Sequence, residues 1–496
     1  MPVLTAEQRL TSRTLGDHYP YWWQGRDGCV HWASFFGDAM AELEQPRAID
    51  AVAVLSILSL QYVALDRTLV QGVQRLAWLS ELDAAGVQRY EAAPEHQQRT
   101  DSAKRIASKL RALLEAEVLE YCRDKSKVYL MLSGGMDSRV MAGVVADLQR
   151  RGAIRVPVVA VTWGIEQSRD CRYAERLAQY FGWEWHWAEL DAASYWSQFE
   201  LCAGELGAEV DPKHLHRMDW FRRAEPDAVA LAASYGDSVG RAEYSSMHLT
   251  TVPPLAPSDR NRLLRADVRE RAWPELLRDI AAIRGRYGVR SELGWRELER
   301  QSHYMRRMLC TTMGVINRWC SVRQVFTQRP ILELMWGLDP ACRQGDTYAE
   351  LLRDLDPKLL DFAWARTGSR FDNGENVEQT FLKRHHRYGY WLRTAHADKL
   401  GELLFHPKLA ELAVFDVDQV RFMYDEWLRE RPSDDTSLAT QLSSLAVICL
   451  AAQRFGIVAS EQTARVQARQ VARGFVEARA ARAYQVARRV SRPWRL

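Results

Sequence analysis

The residues from Tyr129 to Arg139, YLMLSGGMDSR, bring two serines, two glycines and a carboxylate together at the end of an apolar run. A strand that ends in a glycine-containing loop and passes into a helix leaves backbone N–H groups aimed at one spot, reinforced by the positive end of the helix dipole. Phosphate is the natural occupant. Gly134 and Gly135 permit close backbone approach, Ser133 and Ser138 offer hydroxyl donors, and Asp137 can hold a divalent cation that neutralises phosphate charge. A tight turn capped by Ser133 would account for Ser-Gly-Gly alone. It does not account for the Asp-Ser continuation between a buried strand and an amphipathic helix. Neither G-x-x-x-x-G-K-[ST] nor G-x-G-x-x-G occurs in the chain.

Several elements must hold this loop. Apolar residues at Ile106, Leu110, Leu113, Leu114, Val118, Leu119 and Cys122 mark one helical face ahead of the strand KVYLML. A second helix is predicted from near Ser138 through RVMAGVVADLQRR, stopped by Gly152. VPVVAVTW (156–163) is a continuous apolar run, as in a parallel strand buried on both faces. RDCRYAERLAQYFG then reads as a helix, EWHWAEL as a short strand, and DAVALAASYGDSVG as a further strand ending in glycine. This alternation predicts a parallel sheet covered by helices on both sides. After Pro253 the chain reads as mostly helical. The first hundred residues, with VHWASFF, AVAVLSILSLQYVAL and RTLVQGVQRLAWL, predict a compact β-rich domain with some helix, joined through a polar linker at 91–104.

The bulk numbers limit the function classes. A chain of 496 residues with 47% hydrophobic residues can bury more than one core, with two to four domains expected. Charged residues at 26% and a mean hydropathy of -0.34 are ordinary for a globular protein. No apolar window is expected to reach the roughly 18 residues of a membrane span. The opening MPVLTAEQRLTSRTLGDHYPYWW lacks a secretory pattern, so a cytoplasmic location is expected. The eight cysteines are scattered without a C-x-x-C pair, and His214, His216, His385 and His386 lack metal-site spacing, which argues against a zinc cage or a disulfide framework. The net charge of +3 is concentrated in residues 461–496, with nine arginines against two glutamates. A near-neutral body with a basic tail does not suggest a nucleic-acid partner. The tail, with Val466, Phe475, Val476, Val486 and Trp494 among its arginines, could be an interfacial helix, a docking segment for an acidic partner or a solvated helix on the body.

SGGMDS on a strand-to-helix turn resembles the Ser-Gly-Gly-x-Asp-Ser pyrophosphate loop of the ATP pyrophosphatases, and its surroundings resemble the asparagine synthetase and β-lactam synthetase branch. VVAVTW with RDCRYAERLAQYFGWEWHWAEL is similar to that family's second strand, helix and third strand. ALAASYGDSVG lies where the family has the turn bearing its second magnesium ligand. RPILELMWGLDPACR with TYAELLRDLDPKLL is similar to the Pro-Phe-Leu-Asp helix and later turn, and RTLVQGVQRL to a segment of the glutaminase-like domain.

The resemblance implies an α/β fold. A degenerate Ntn-hydrolase-like (α+β) domain at 1–95 would precede a parallel-sheet, adenine-nucleotide α-hydrolase-like synthetase domain at 104–460 with a helical C-terminal part. The basic tail would occupy 461–496. It further implies carboxylate activation: a substrate carboxylate attacks the α-phosphorus of ATP, pyrophosphate leaves, and an amine displaces AMP to form an amide. ATP and Mg2+ are the expected cofactors, and small-molecule or peptide carboxylates and amines the expected partners. Leu132, Ser133, Gly134, Gly135, Asp137, Ser138, Val161, Thr162, Tyr235 and Gly236 would bind ATP and pyrophosphate, with Asp137 and Asp237 as metal ligands.

Departures from the family pattern are informative. A glutaminase of this family uses an N-terminal cysteine after the initiator methionine; residue 2 is Pro2 and the nearest cysteine is Cys29, so no glutamine hydrolysis is expected. Phe326 stands near the position of a family glutamate. The family lysine meets ARTGSRF, leaving Arg370 or the displaced Lys383 as the cation, and Tyr348 with Glu350 as a candidate proton-accepting pair. Arginine stabilises an oxyanion but does not replace lysine freely in proton transfer. A specialised amide or lactam synthetase is therefore expected rather than asparagine synthesis.

Two other readings make distinct expectations. Gly236-Asp237-Ser238-Val239-Gly240 satisfies G-x-S-x-G, so Ser238 with a histidine such as His386 would make an α/β-hydrolase-type esterase. No His-Gly-Gly oxyanion segment precedes it, and SGGMDS would be left without a role. A nucleotide-binding scaffold without turnover is the third reading, motivated by Phe326 and the missing lysine.

Overall fold

A computed structural model describes residues 3–375, 380–430, 436–464 and 468–491. Pro2, Val466 and Trp494 lie outside them.

Five short strands form the central sheet: β1 (Val128–Met131), β2 (Val158–Gly164), β3 (Glu184–Glu189), β4 (Val229–Ala232) and β5 (Ser321–Gln324). Their order is β3-β2-β1-β4-β5, and every pairing is parallel. The central strands VYLM and VALA are buried at every position, as a sheet covered on both faces requires. Succession runs from β1 outward through β2 to β3, then returns to the other side of β1 at β4. The reversal opens a crevice at the C-terminal ends of β1 and β4, the place where α/β sheets bind ligands.

Helices feed and cover this sheet. Helix α1 (Ala103–Cys122) is capped by Ser102 and buries Ile106, Leu110, Leu114, Val118 and Cys122, the predicted stripe, while Leu119 is exposed. Helix α2 (Met136–Arg150) starts at the serine-glycine loop, and Gly152 follows it at φ +70°. Helix α3 (Arg169–Phe181) is capped by Ser168 at its start and by left-handed Gly182 at its end. Beyond α4 (Ala192–Leu206), the helices that bear on the site are α5 (Arg329–Trp336) and α6 (Gly345–Leu355).

The region after Pro253 is mostly helical as expected, and SVRQ adds the edge strand β5; four residues with an arginine among them carry no strand periodicity. The first ninety residues do form two three-stranded sheets and two helices. Their core is nevertheless shared: Tyr21, Phe36, Val54 and Leu69 belong to one apolar cluster with Leu206, Leu442 and Ile448. The linker is likewise docked, with His96 stacked on Trp336 at 4.5 Å and Arg99 paired with Leu338. Finally, α7 (Ser437–Phe455) is long and apolar enough to cross a membrane by length and composition, contrary to the expectation. Of that window 83% is buried inside the protein, so α7 is a core helix that packs against α4.

The basic tail forms α8 (Ala468–Ser491), which rests on helices Ala266–Ala281 and Val417–Arg429 through buried Ala478, Ala481 and Gln485. Val476 and Tyr484 remain exposed.

Candidate nucleotide and metal site

The loop between β1 and α2 is held in shape by its own serines. The Ser133 N–H donates to Ser138 Oγ at 3.2 Å, the Gly135 N–H donates to Ser133 Oγ at 3.1 Å, and the two hydroxyls are 3.0 Å apart. Gly134 lies beneath a crossing segment: its carbonyl accepts from the Ala365 N–H at 3.0 Å, and a Cβ there would meet Ala365 Cβ at 2.7 Å. Arg139, fully buried on α2, fixes that segment by donating to the carbonyls of Leu359, Phe362 and Ala363 at 3.0, 2.9 and 2.7 Å. Burial lowers its guanidinium to about 9. Sequence reading gave Arg139 no role; a charged residue inside an apolar helix stripe was the available signal.

Across the crevice, β4 runs into a π-helical turn at Gly236–Gly240. A Cβ at Gly236 would lie 2.6 Å from Asp137 Cβ, so the turn packs directly against the loop. Burial and the neighbouring charge of Asp137 push the Asp237 carboxyl up to about 8, against the opposing pull of Arg241. The Ser238 N–H donates to Asp237 Oδ1 at 2.6 Å. Arg241 grips the other carboxylate, with Nη2 at 3.0 Å from Asp137 Oδ2 and Nε at 3.3 Å from Oδ1, while Nη1 pairs with Glu243 at 2.8 Å.

These pieces line one cleft of about 470 Å³. Of the predicted residues, Leu132, Ser133, Gly135, Asp137, Ser138, Thr162 and Asp237 reach its surface. Gly134, Val161, Tyr235 and Gly236 support it from behind; the Val161 carbonyl, for example, accepts from the Leu132 N–H at 2.9 Å. Trp163, Asp170, His216, His385, Leu309 and Met313 also line it, with Met131 and residues 232–234 of the β4 end, and were not anticipated. Burial raises the Asp170 carboxyl, opposed by His385 and the Gly134 N–H. His216 is kept neutral by burial, with Nδ1 2.7 Å from the Tyr388 hydroxyl. Asp170 sits one residue past the start of a Ser-capped helix that follows β2, a pattern legible in RDCRYAERL. The histidines meet only through tertiary structure.

The donor set fits a hard divalent cation. Two carboxylates line the same cleft, Asp137 held by Arg241 and Asp237 without an arginine on it, and burial beside Asp137 makes Asp237 ionise with difficulty. Among the described residues no three His, Cys, Asp or Glu side chains converge as a metal cage. A cation held by one or two carboxylates, with phosphate oxygens and water completing its shell, matches magnesium practice.

Of the proposed acyl-transfer residues only Tyr348 lies at this corner, and it sits behind the cleft surface. Tyr348 is fully buried, its hydroxyl donating to the Gly236 carbonyl at 2.6 Å and its ring parallel to Phe326 at 6.3 Å. Glu350 points outward to Arg353, because two residues along α6 turn the side chain away from the Tyr348 face. Arg370 pairs with Asp361 at 3.2 Å and Glu375 at 3.5 Å, and it does not line the cleft. Lys383 is exposed. Ser238 is completely buried, with Oγ 3.2 Å from the Gln301 side-chain nitrogen, and His386 packs on Tyr388 and His385 instead. The esterase reading fails on this geometry, because a buried serine without a histidine beside it cannot attack an ester.

Residues 109–318 match the asparagine synthase family model. The glutamine-hydrolysing asparagine synthetase of Gallus gallus is 23% identical over 165 residues, covering 32% of this chain and 29% of that protein. The Cricetulus griseus counterpart is 22% identical over the same lengths. The aligned region thus spans under a third of these relatives. The NMN synthetase of Francisella tularensis matches at a TM-score of 0.22 with 14% identity, covering 44% of this chain and 93% of that one, too slight a likeness to argue from. The matched stretch contains the Ser133–Ser138 loop and Asp237 at the switch point of the parallel sheet, so this part of the chain is similar to the asparagine synthase family.

Proposed function

We propose that the protein is an ATP-dependent amide ligase that forms AMP and pyrophosphate. A carboxylate oxygen of the substrate attacks the α-phosphorus, the bond to the β,γ-pyrophosphate breaks, and an amine nitrogen then attacks the acyl carbon, expelling AMP and losing a proton. The observation that carries this reading is the convergence of the Ser133–Ser138 loop and Asp237 on one cleft at the sheet's switch point. Backbone N–H groups and hydroxyls of the loop hold the leaving pyrophosphate. Asp237 is the residue that would hold magnesium, whose contribution is to neutralise phosphate charge, while Asp137, expected as a second ligand, carries Arg241 on both of its oxygens. Confinement of both substrates in one cleft supplies the remaining advantage.

The N-terminal region is proposed as a retained scaffold without glutamine hydrolysis. Cys29, its one cysteine, lies in the turn joining strands Tyr21–Gln24 and Val30–Ala33, with its N–H donating to Asp27. The substrate is proposed to be specialised: a natural-product, lactam or surface-polysaccharide acid. A second reading, nucleotide binding without turnover, is favoured by the placement of Glu350 and Arg370 away from the cleft.

Pyrophosphate release with ATP and Mg2+ across a panel of carboxylates separates the two. Release that depends on one acid supports the ligase. ATP binding with no release from any acid or amine pair favours the scaffold.

A further inference from the structure

The carboxylate of Asp137 is already engaged. Arg241 lays two of its nitrogens on the two oxygens, at 3.0 and 3.3 Å, in the paired geometry that makes arginine–carboxylate contacts directional. The guanidinium is held there from several sides. Its third nitrogen pairs with Glu243 at 2.8 Å, and its carbon lies 5.4 Å from the Tyr348 ring and 5.8 Å from the Trp364 ring. Its backbone N–H donates to the carbonyls of Gly236 and Asp237, both at 3.1 Å, so the residue is anchored to the same turn that presents Asp237. Arg241 is only 8% exposed.

Charge in this corner is balanced unevenly. Glu243 is shared between Arg241 and Arg366, and Asp137 is matched by Arg241, which leaves Asp237 as the carboxylate without an arginine on it. Among the described residues only one of its oxygens is occupied, by the Ser238 N–H, and the residue lines the cleft. A cation that binds Asp237 meets unmatched charge. A second one at Asp137 would have to break the buried Arg241–Asp137 pair or bring a cation up against the guanidinium.

We propose that Arg241 stands permanently in the place of one of two divalent cations, so that the cleft takes MgATP with a single metal ion, held at Asp237. This rests on the nucleotide reading above. A fixed guanidinium also keeps the charge of Asp137 matched by a residue that never deprotonates in the working pH range.

The test is the number of Mn2+ ions bound per bound nucleotide, read by electron paramagnetic resonance with the full chain and the non-hydrolysable probe α,β-methylene-ATP. One Mn2+ per nucleotide in the wild type and two in Arg241→Met, which keeps bulk but removes charge, is the expected result. Arg241→Lys retains a charge beside Asp137 and is expected to stay at one, which separates charge from packing. Two Mn2+ in the wild type, or one in both wild type and Arg241→Met, overturns the proposal. Failure of the probe to bind at all removes the nucleotide reading, and this inference with it; two ions on a well-bound probe overturns this inference alone.

Discussion

Gly236 and Asp137 are in contact across the crevice, and the absence of a side chain at Gly236 is what allows it: a Cβ there would lie 2.6 Å from Asp137 Cβ and 2.8 Å from its Oδ1. Gly236→Ala must displace either the aspartate or the turn that carries Asp237. Overpacking of this kind costs about 1–3 kcal/mol of stability. Misplacement of the two carboxylates is expected to lower pyrophosphate formation by roughly a hundredfold. Urea unfolding together with pyrophosphate release checks both. Unchanged activity in a folded Gly236→Ala protein would mean that the contact does not position the site.

Asp237 makes stability depend on pH. Its carboxyl is raised from 3.8 to about 8, so the native protein holds a proton there that the unfolded chain releases. The stabilisation from this group is complete below the unfolded value and is lost as pH rises through about 8. Asp237→Asn cannot ionise and is expected to flatten the decline. Without metal, its Tm between about pH 6 and pH 9 should fall less than that of the wild type, although pyrophosphate formation is lost. Parallel Tm curves for the two proteins would contradict the assignment.

Glu117 supports the backbone at the position where the family pattern departs. Buried on α1, it accepts the N–H groups of Phe326, Thr327 and Gln328 at 2.7, 3.1 and 3.0 Å. Phe326 itself has φ +76°, a conformation a bulky residue adopts only when held. Glu117→Ala leaves two buried donors and one half-buried donor without their acceptor and is expected to destabilise by about 2–4 kcal/mol in urea unfolding. A loss under about 0.5 kcal/mol would show that water or another acceptor replaces the carboxylate.

Tyr348 is expected to act on position rather than as a base. Its hydroxyl donates to the Gly236 carbonyl, and burial beside Asp137 raises its pKa well above the ordinary value. Tyr348→Phe is expected to cost about 0.5–1.5 kcal/mol of stability and to leave the pH dependence of amide formation unchanged. Disappearance of a titrating limb from that pH profile would restore Tyr348 as a proton acceptor.

The loop, its strand and its helix were legible because they are contiguous: YLML is buried, SGG bends the chain, and the stripe of RVMAGVVADL continues the same layer. Asp237 was legible for a similar reason, since VALAASYGD repeats strand and glycine. What stayed hidden depends on contacts between distant segments. Arg241 has no local pattern, and its role exists only because Gly236 lets Asp137 come close. His216 and His385 reach the cleft from separate segments. Tyr348 and Glu350 looked like a pair two residues apart, but a helix turns such residues about 200° from each other, and α6 sends one inward and the other to Arg353. The boundary near residue 95 was legible as polar composition, yet the apolar faces on either side merge into one core, which no local window reveals.

The most direct test of the account is calorimetric titration of MgATP into the wild type, Asp137→Ala and Asp237→Ala. One nucleotide per chain is predicted for the wild type, with affinity at least about tenfold weaker for Asp237→Ala, a loss of about 1.4 kcal/mol or more. No binding to the wild type, or equal binding by all three proteins, would contradict the assignment of this cleft as the nucleotide site.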